Sequence, residues 1–153
     1  MKKMYKYFFL GSVGVVAAAV LGGMVFLLSQ SSCEARVMFA NGTKVCAEMA
    51  DTSEKRQRGL SGRESLEEGR GMLFDFGSGR RPGMWMKDMH FSLDFVWIDA
   101  SGAVSEVTRN ISPDTFPQTF RPFEPVRYVL EVPAGFTEKH GISPGERVEM
   151  SAE

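Results

Sequence analysis

The residues able to do chemistry gather in one stretch, Gly83-Met84-Trp85-Met86-Lys87-Asp88-Met89-His90, which runs on into Phe91-Ser92-Leu93-Asp94-Phe95-Val96-Trp97-Ile98-Asp99. It holds both tryptophans, three of the ten methionines and one of the two histidines. Lys87 and Asp94 are charges in an apolar run, and such charges cost free energy unless they are paired or used. If Met89-His90 is the loop of a hairpin, Trp85 faces Asp94 and Lys87 faces Ser92. Faces alternate along a strand, so Trp85, Lys87, Ser92 and Asp94 share one side, and Met84, Met86, Leu93 and Phe95 the other. Lys87 and Asp94 then become diagonal neighbours whose side chains can meet. Two readings follow: a small polar ligand site walled by Trp85, or an ion pair that fixes strand register, whose rupture would leave one charge unpaired.

The sulfurs carry a different chemistry. Met84, Met86, Met89 and His90 are soft ligands suited to Cu(I) or Ag(I). Met84 and Met86 nevertheless fall where core side chains are expected, and methionine commonly fills cores, so Cu(I) binding ranks third and no resident cofactor is expected. His90 and His140 belong to no zinc spacing or catalytic triad. Gly77-Ser78-Gly79 precedes arginines rather than a helix, unlike a phosphate loop. An enzyme using Lys87 and Asp94 is the alternative to a binding module, and no other residue reads as catalytic.

These residues need a scaffold, and the chain opens with something else. Lys2, Lys3 and Lys6 precede an uncharged apolar run over residues 7–28. Roughly 20 apolar residues span a bilayer core, and the basic flank stays in the cytoplasm, sending the rest outside. A cleaved signal peptide is the competing reading, but its apolar core is about 7–15 residues, shorter than this run. A lipoprotein modified at Cys33 is weaker still, because Gln30 stands where an aliphatic residue is expected. The expected organisation is a membrane anchor and linker over 1–35, followed by an extracytoplasmic domain over 36–153. Without its three N-terminal lysines the chain has 15 basic against 19 acidic side chains, about −4, and no basic block. That balance disfavours nucleic acid as a partner.

In the exported part, Asn41-Gly42 supplies the positive φ that a tight hairpin loop needs. A two-residue loop pairs Val37 with Cys46 and leaves Cys33 out of reach unless the chain folds back. Two separate thiols are therefore expected, with a bridge as the alternative an exported compartment permits. Asp51 or Thr52 caps a short helix ending at Arg58, before Gly59. Arg56, Arg58, Arg63 and Arg70 read as solvated, with Arg63 kept as a candidate ligand contact beside Trp85, Lys87 and Asp94. Strands are expected at residues 71–76, 103–109, 126–132 and 146–150, and a short helix at 134–140. Residues 111–125, with four prolines and three phenylalanines, form a long loop. Seven short strands with Gly/Pro turns and only small helices predict a closed or sandwiched β domain.

The order of several motifs resembles one family. Ala50-Asp51-Thr52, Arg58-Gly59-Leu60-Ser61-Gly62-Arg63, Gly71-Met72-Leu73-Phe74, Trp85-Met86-Lys87 and Leu93-Asp94 come first. Ile98-Asp99, Gly102 and Val104 follow, then Tyr128-Val129-Leu130-Glu131, Gly135-Phe136, His140-Gly141 and Gly145-Glu146-Arg147-Val148. Together they make residues 37–150 similar to DUF192 (also UPF0127), a domain of unknown function. The resemblance implies a mostly β, compact, jelly-roll-like fold and no established activity, cofactor or catalytic residue. Trp-Met-Lys and Leu-Asp are among its signature positions, which adds weight to Trp85, Lys87 and Asp94. Here Asp88-Met89-His90 replaces the usual Asn-Thr after Trp-Met-Lys, so Met89 and His90 are not family features. The expected function is a membrane-tethered binding or accessory module for a small-molecule ligand or an envelope protein.

Overall fold

The computed structural model describes residues 33–152; the expected anchor helix over residues 7–28 lies outside the described residues. Seven strands are β1 (Ala35–Phe39), β2 (Lys44–Ala50), β3 (Arg70–Arg80), β4 (Leu93–Ile98), β5 (Val104–Ile111), β6 (Val126–Pro133) and β7 (Val148–Ala152). Two short helices, α1 (Ser53–Arg58) and α2 (Phe136–Lys139), and a 3-10 turn (Pro113–Thr115) complete the elements. Among the described residues no helix is long and apolar enough to cross a membrane.

The mostly β character and the two small helices agree with the pattern of turns and alternation. All seven strands form one hydrogen-bonded sheet in the order β5-β4-β6-β3-β2-β1-β7. Every pairing is antiparallel except β2 with β3. A bridge between Ala103 and Arg147 brings the two ends of the order together. There Val104 N donates to Glu146 O at 2.9 Å and Val148 N to Gly102 O at 2.8 Å. The sheet is thus a half-barrel.

Both faces of this sheet are covered. One buries Val37, Val45, Leu73, Val96, Leu130 and Val132 against Phe136 and Ile142. The other buries Met72, Phe74, Phe95, Trp97 and Val129 beneath Leu60, Met84 and Met86. β4, LDFVWI, is consequently buried at every position, which is why it reads as a continuous apolar run rather than an alternating one. Each large apolar side chain sealed this way contributes about 1.5–3 kcal/mol.

Two local expectations are corrected. The first hairpin pairs Arg36 with Cys46 and Val37 with Val45, one residue away from the expected register. Phe39 N donates to Thr43 O and Gly42 N to Phe39 O, making a three-residue loop that places Gly42 at φ 89°. Loops of this length take a left-handed glycine at that position. Before β1 the chain folds back, with Glu34 N on Ala47 O at 3.0 Å. Cys33 and Cys46 are accordingly joined in a disulfide, their Cα atoms 5.2 Å apart, and are not separate thiols. That separation lies within the range disulfides require.

The central hairpin is not formed either. Met84 makes a single bridge to Phe120, and residues 85–92 run irregularly through a turn where Asp88 has φ 55°. β4 already has β5 and β6 as its two neighbours, so no pairing edge remains for residues 84–88. Met84 and Met86 instead bury their side chains in the second face, and the segment lies over it as a roof. Ser61 Oγ donates to Lys87 O and Gly62 N to Asp88 O, each at 2.8 Å, tying that roof to the loop after α1.

Candidate functional site

β6 runs between β3 and β4, and Glu131 on it stands opposite Met72 on one side and Phe95 on the other. A carboxyl is thereby placed in the apolar second face, only 4% exposed. Its side chain has no hydrogen bond or ion pair among the described residues, and burial alone pushes it up to about 8. Removing a carboxylate from water without a compensating partner favours the protonated form, so Glu131 is mainly neutral at pH 7. Gly71 is what lets β3 approach here. A Cβ on it would sit 2.7 Å from Glu131 O and 3.0 Å from Val45 Cγ1.

Glu131 forms part of the wall of a cavity of about 240 Å³. Phe74 and Phe76, two residues apart on one strand face, line it with near-parallel rings whose centroids lie 6.4 Å apart. Met84, Trp85 and Met89 line it from the roof. Trp85 is 43% exposed, so its indole stands at the opening. Most of the remaining lining comes from α1 and the loop that follows it, Gly59 to Ser61; the helix begins where Thr52 Oγ1 accepts from Lys55 N at 3.2 Å. Helical spacing puts Ser53, Arg56 and Gln57 on one face of that helix, and all three line the cavity.

Charge at the mouth is positive. Arg56 donates from Nη1 to Asp51 O at 2.7 Å and Asp75 O at 2.9 Å, with its guanidinium 5.5 Å from the centre of the Phe76 ring. Both acceptors are neutral carbonyls, so they orient Arg56 without cancelling its charge. Arg58 is exposed, lines the same cavity, and its guanidinium forms no ion pair among the described residues. The site therefore has a buried, unpartnered carboxyl, aromatic and thioether walls, and an arginine-bearing rim.

Of the residues singled out by sequence, Trp85 belongs to this cavity. Lys87 does not line it; the side chain is exposed on the roof turn. Asp94 is fully buried on the opposite sheet face, since it pairs across from Val132 whereas Glu131 pairs across from Phe95. Its Oδ1 accepts from Asn110 N at 2.8 Å and Gly135 N at 3.3 Å, and its Oδ2 from Thr137 N at 3.0 Å and Thr137 Oγ1 at 2.7 Å. Lys87 and Asp94 are thus not partners: four local donors satisfy the aspartate and fasten β5 and the start of α2 to β4. Arg63 holds Glu48 through two bonds of 2.5 and 2.6 Å, and that bonding raises its already high pKa. It pins the loop after α1 to β2 and is absent from the cavity lining.

Among the soft ligands, Met84 and Met89 line the cavity, Met86 is sealed in the apolar cluster and His90 is exposed. Among the described residues no group of three His, Cys, Asp or Glu side chains is placed to hold a metal ion. Glu131 is the residue that reasoning from sequence missed as a site. Its signal was present, a carboxyl inside the apolar run Val129-Leu130-Glu131-Val132.

Comparison with known proteins places this arrangement among relatives. Residues 36–150 match the model of the family DUF192, described as "Uncharacterized ACR". A crystal structure from Sinorhizobium meliloti 1021, named as a candidate transcription regulator, is 34% identical with a TM-score of 0.71, covering 80% of this chain and 98% of that one. A protein of unknown function from Novosphingobium aromaticivorans DSM 12444 is 26% identical with a TM-score of 0.70, covering 76% and 83% respectively. No curated protein matches the chain.

Proposed function

We propose that this chain, which belongs to the DUF192 family, is a binding module that takes a small ligand into the Glu131 cavity. The observation that carries the reading is Glu131 itself. A buried polar group without a partner costs about 1–3 kcal/mol, and such groups persist where something outside the folded chain completes them. Trp85 and the arginine rim supply apolar contact and orientation, the combination that ligand pockets use.

The jelly-roll description and the membrane setting belong to the same proposal. The apolar run of residues 7–28, with Lys2, Lys3 and Lys6 before it, would hold the module on the outer face of a membrane, in reach of small solutes or an envelope protein. An exported domain of about −4 net charge with no basic block does not suit nucleic acid, so the regulator description of the Sinorhizobium meliloti relative is not extended to this chain. An enzyme built on Lys87 and Asp94 has no support, because the two side chains lie on opposite sides of the sheet.

The test is the thermal stability of the full chain against a metabolite and metal panel, for wild type, Glu131→Gln, Trp85→Ala and Lys87→Met. A ligand at about 100 times its Kd stabilises by about 2.7 kcal/mol, roughly 10 °C here. The expected result is a compound that raises Tm in wild type and Lys87→Met but not in the other two. A panel that shifts all four alike, or none, defeats the reading. Protease accessibility in spheroplasts checks the orientation; an exported domain is cut, and protection would refute it.

A further inference from the structure

We infer that the ligand of the Glu131 cavity is a compact zwitterion, with a methylated ammonium at its buried end and a carboxylate at the arginine rim. This rests on the binding-module reading and specifies its ligand. The cavity has opposite charge requirements at its two ends. Glu131 lies at the buried end without a partner, and Arg58 and Arg56 lie at the rim without a carboxylate. Among the described residues no ion pair joins the glutamate to either arginine, and none pairs with both ends of the cavity.

The surroundings choose among ligand classes. A simple cation would meet the repulsion of two arginines, and a simple anion would leave Glu131 as the protonated acid, with no ion pair formed at the buried end. The wall between is Phe74, Phe76, Trp85, Met84 and Met89. Aromatic faces and thioethers attract a diffuse cation. A primary ammonium would bring three N–H donors, and the aromatic and thioether side chains of this wall offer them no strong acceptor. A methylated ammonium brings fewer donors or none, which suits those walls. At about 240 Å³ the cavity is smaller than the roughly 300–1,000 Å³ typical of drug-sized ligands, so the ligand is of amino-acid size.

Proton balance gives the proposal a second readout. Glu131 is faced by Met72 and Phe74 from β3, Phe95 from β4 and the neutral roof side chains; the charged groups of the lining are Arg56 and Arg58 on α1. In the empty site the carboxyl holds its proton, and an incoming fixed cation makes it an anion: Glu–COOH plus zwitterion gives Glu–COO⁻ paired to the ammonium, with H⁺ released to solvent. For a carboxyl held at about 8 by burial most of a proton is released per ligand at pH 7, and the release falls away as pH rises past that value.

The experiment is calorimetric titration of the full chain in a nonionic detergent, in buffers of different ionisation enthalpy. The probes are glycine betaine, choline (the cation without the carboxylate), 3,3-dimethylbutyrate (the same shape without the positive charge) and L-valine. The expected result is betaine binding with the stated proton release, and at least tenfold weaker binding of the other three. Glu131→Gln should lose at least tenfold in betaine affinity together with the proton release; Arg58→Ala should lose affinity and keep the release. Equal binding of betaine and 3,3-dimethylbutyrate, tighter binding of L-valine, or betaine binding indifferent to Glu131→Gln overturns the proposal. A neutral compound that stabilises wild type but not Glu131→Gln overturns the zwitterion and leaves the binding module standing. Failure of every compound in both panels removes both.

Discussion

Exchanging Glu131 for glutamine should change how stability depends on pH more than it changes stability at any one pH. In the folded chain burial holds the carboxyl at about 8, and in the unfolded chain it returns to about 4.3. Between those values the native state keeps a proton that the unfolded state has released, so wild-type stability falls as pH rises. The contribution is fully present below about 4.3 and fully lost above about 8. Each pH unit in the window is worth about 1.4 kcal/mol, which makes the whole loss about 5 kcal/mol. A domain of this size has about 5–15 kcal/mol in total, so the effect is large. Glutamine does not titrate, and its unpartnered amide carries a penalty that is the same at every pH. The difference between the two proteins should therefore move by about 4 kcal/mol in favour of Glu131→Gln between pH 5 and pH 9, the rest of the loss falling below pH 5. Urea unfolding followed by tryptophan fluorescence measures it, since Trp85 and Trp97 are the only tryptophans. Curves that stay parallel to within about 1 kcal/mol across that range would refute a buried, protonated Glu131.

Other substitutions should separate structure from site. Asp94→Asn leaves backbone donors from Gly135, Thr137 or Asn110 without an acceptor and should cost about 3 kcal/mol in urea unfolding, while any ligand affinity of the Glu131 cavity is kept. Lys87→Met, exposed and unpaired with Asp94, should stay within about 0.5 kcal/mol of wild type, and a loss of several kcal/mol would mean that Lys87 has a structural partner. Reduction of Cys33–Cys46, a sequence separation of 13, should lower stability by about 3 kcal/mol on chain-entropy grounds; identical midpoints with and without reductant would show that the closed loop adds nothing.

Much of the fold was legible because it is written in short-range chemistry. Alternation and turn residues located β6 to within one residue of its observed end, and Thr52 and Gly59 marked the two ends of α1. What failed depended on long-range pairing. Met84-Trp85-Met86-Lys87 alternates as a strand would, but the place beside β4 is taken by β6, which comes much later in the chain. The one-residue error at Asn41-Gly42 came from the choice between two- and three-residue loops, and it hid the disulfide. The same rule about charges in apolar runs applied to both Asp94 and Glu131. Burial turned out alike for the two, but among the described residues Asp94 meets four donors and Glu131 meets none, and that difference is set by sheet order and by α2, which no local pattern encodes. Trp85 was singled out as the wall of a Lys87–Asp94 site and lines the Glu131 cavity instead; the partner of Arg63, Glu48, lies 15 residues earlier on another element and left no local signal.

The cavity is built from two materials of unequal durability. Its floor, β6, is hydrogen-bonded to a strand on either side, so those amides should exchange with deuterium only through global unfolding. Its roof is held by the Met84–Phe120 bridge and the bonds from Ser61 and Gly62, and the amides of Met84, Phe120 and Gly62 should exchange through smaller, local openings. Equal protection of roof and floor would contradict this. Local opening of the roof would widen the mouth beside Trp85 while β6 stays in place, so on the proposed reading ligand entry and proton loss from Glu131 share one route.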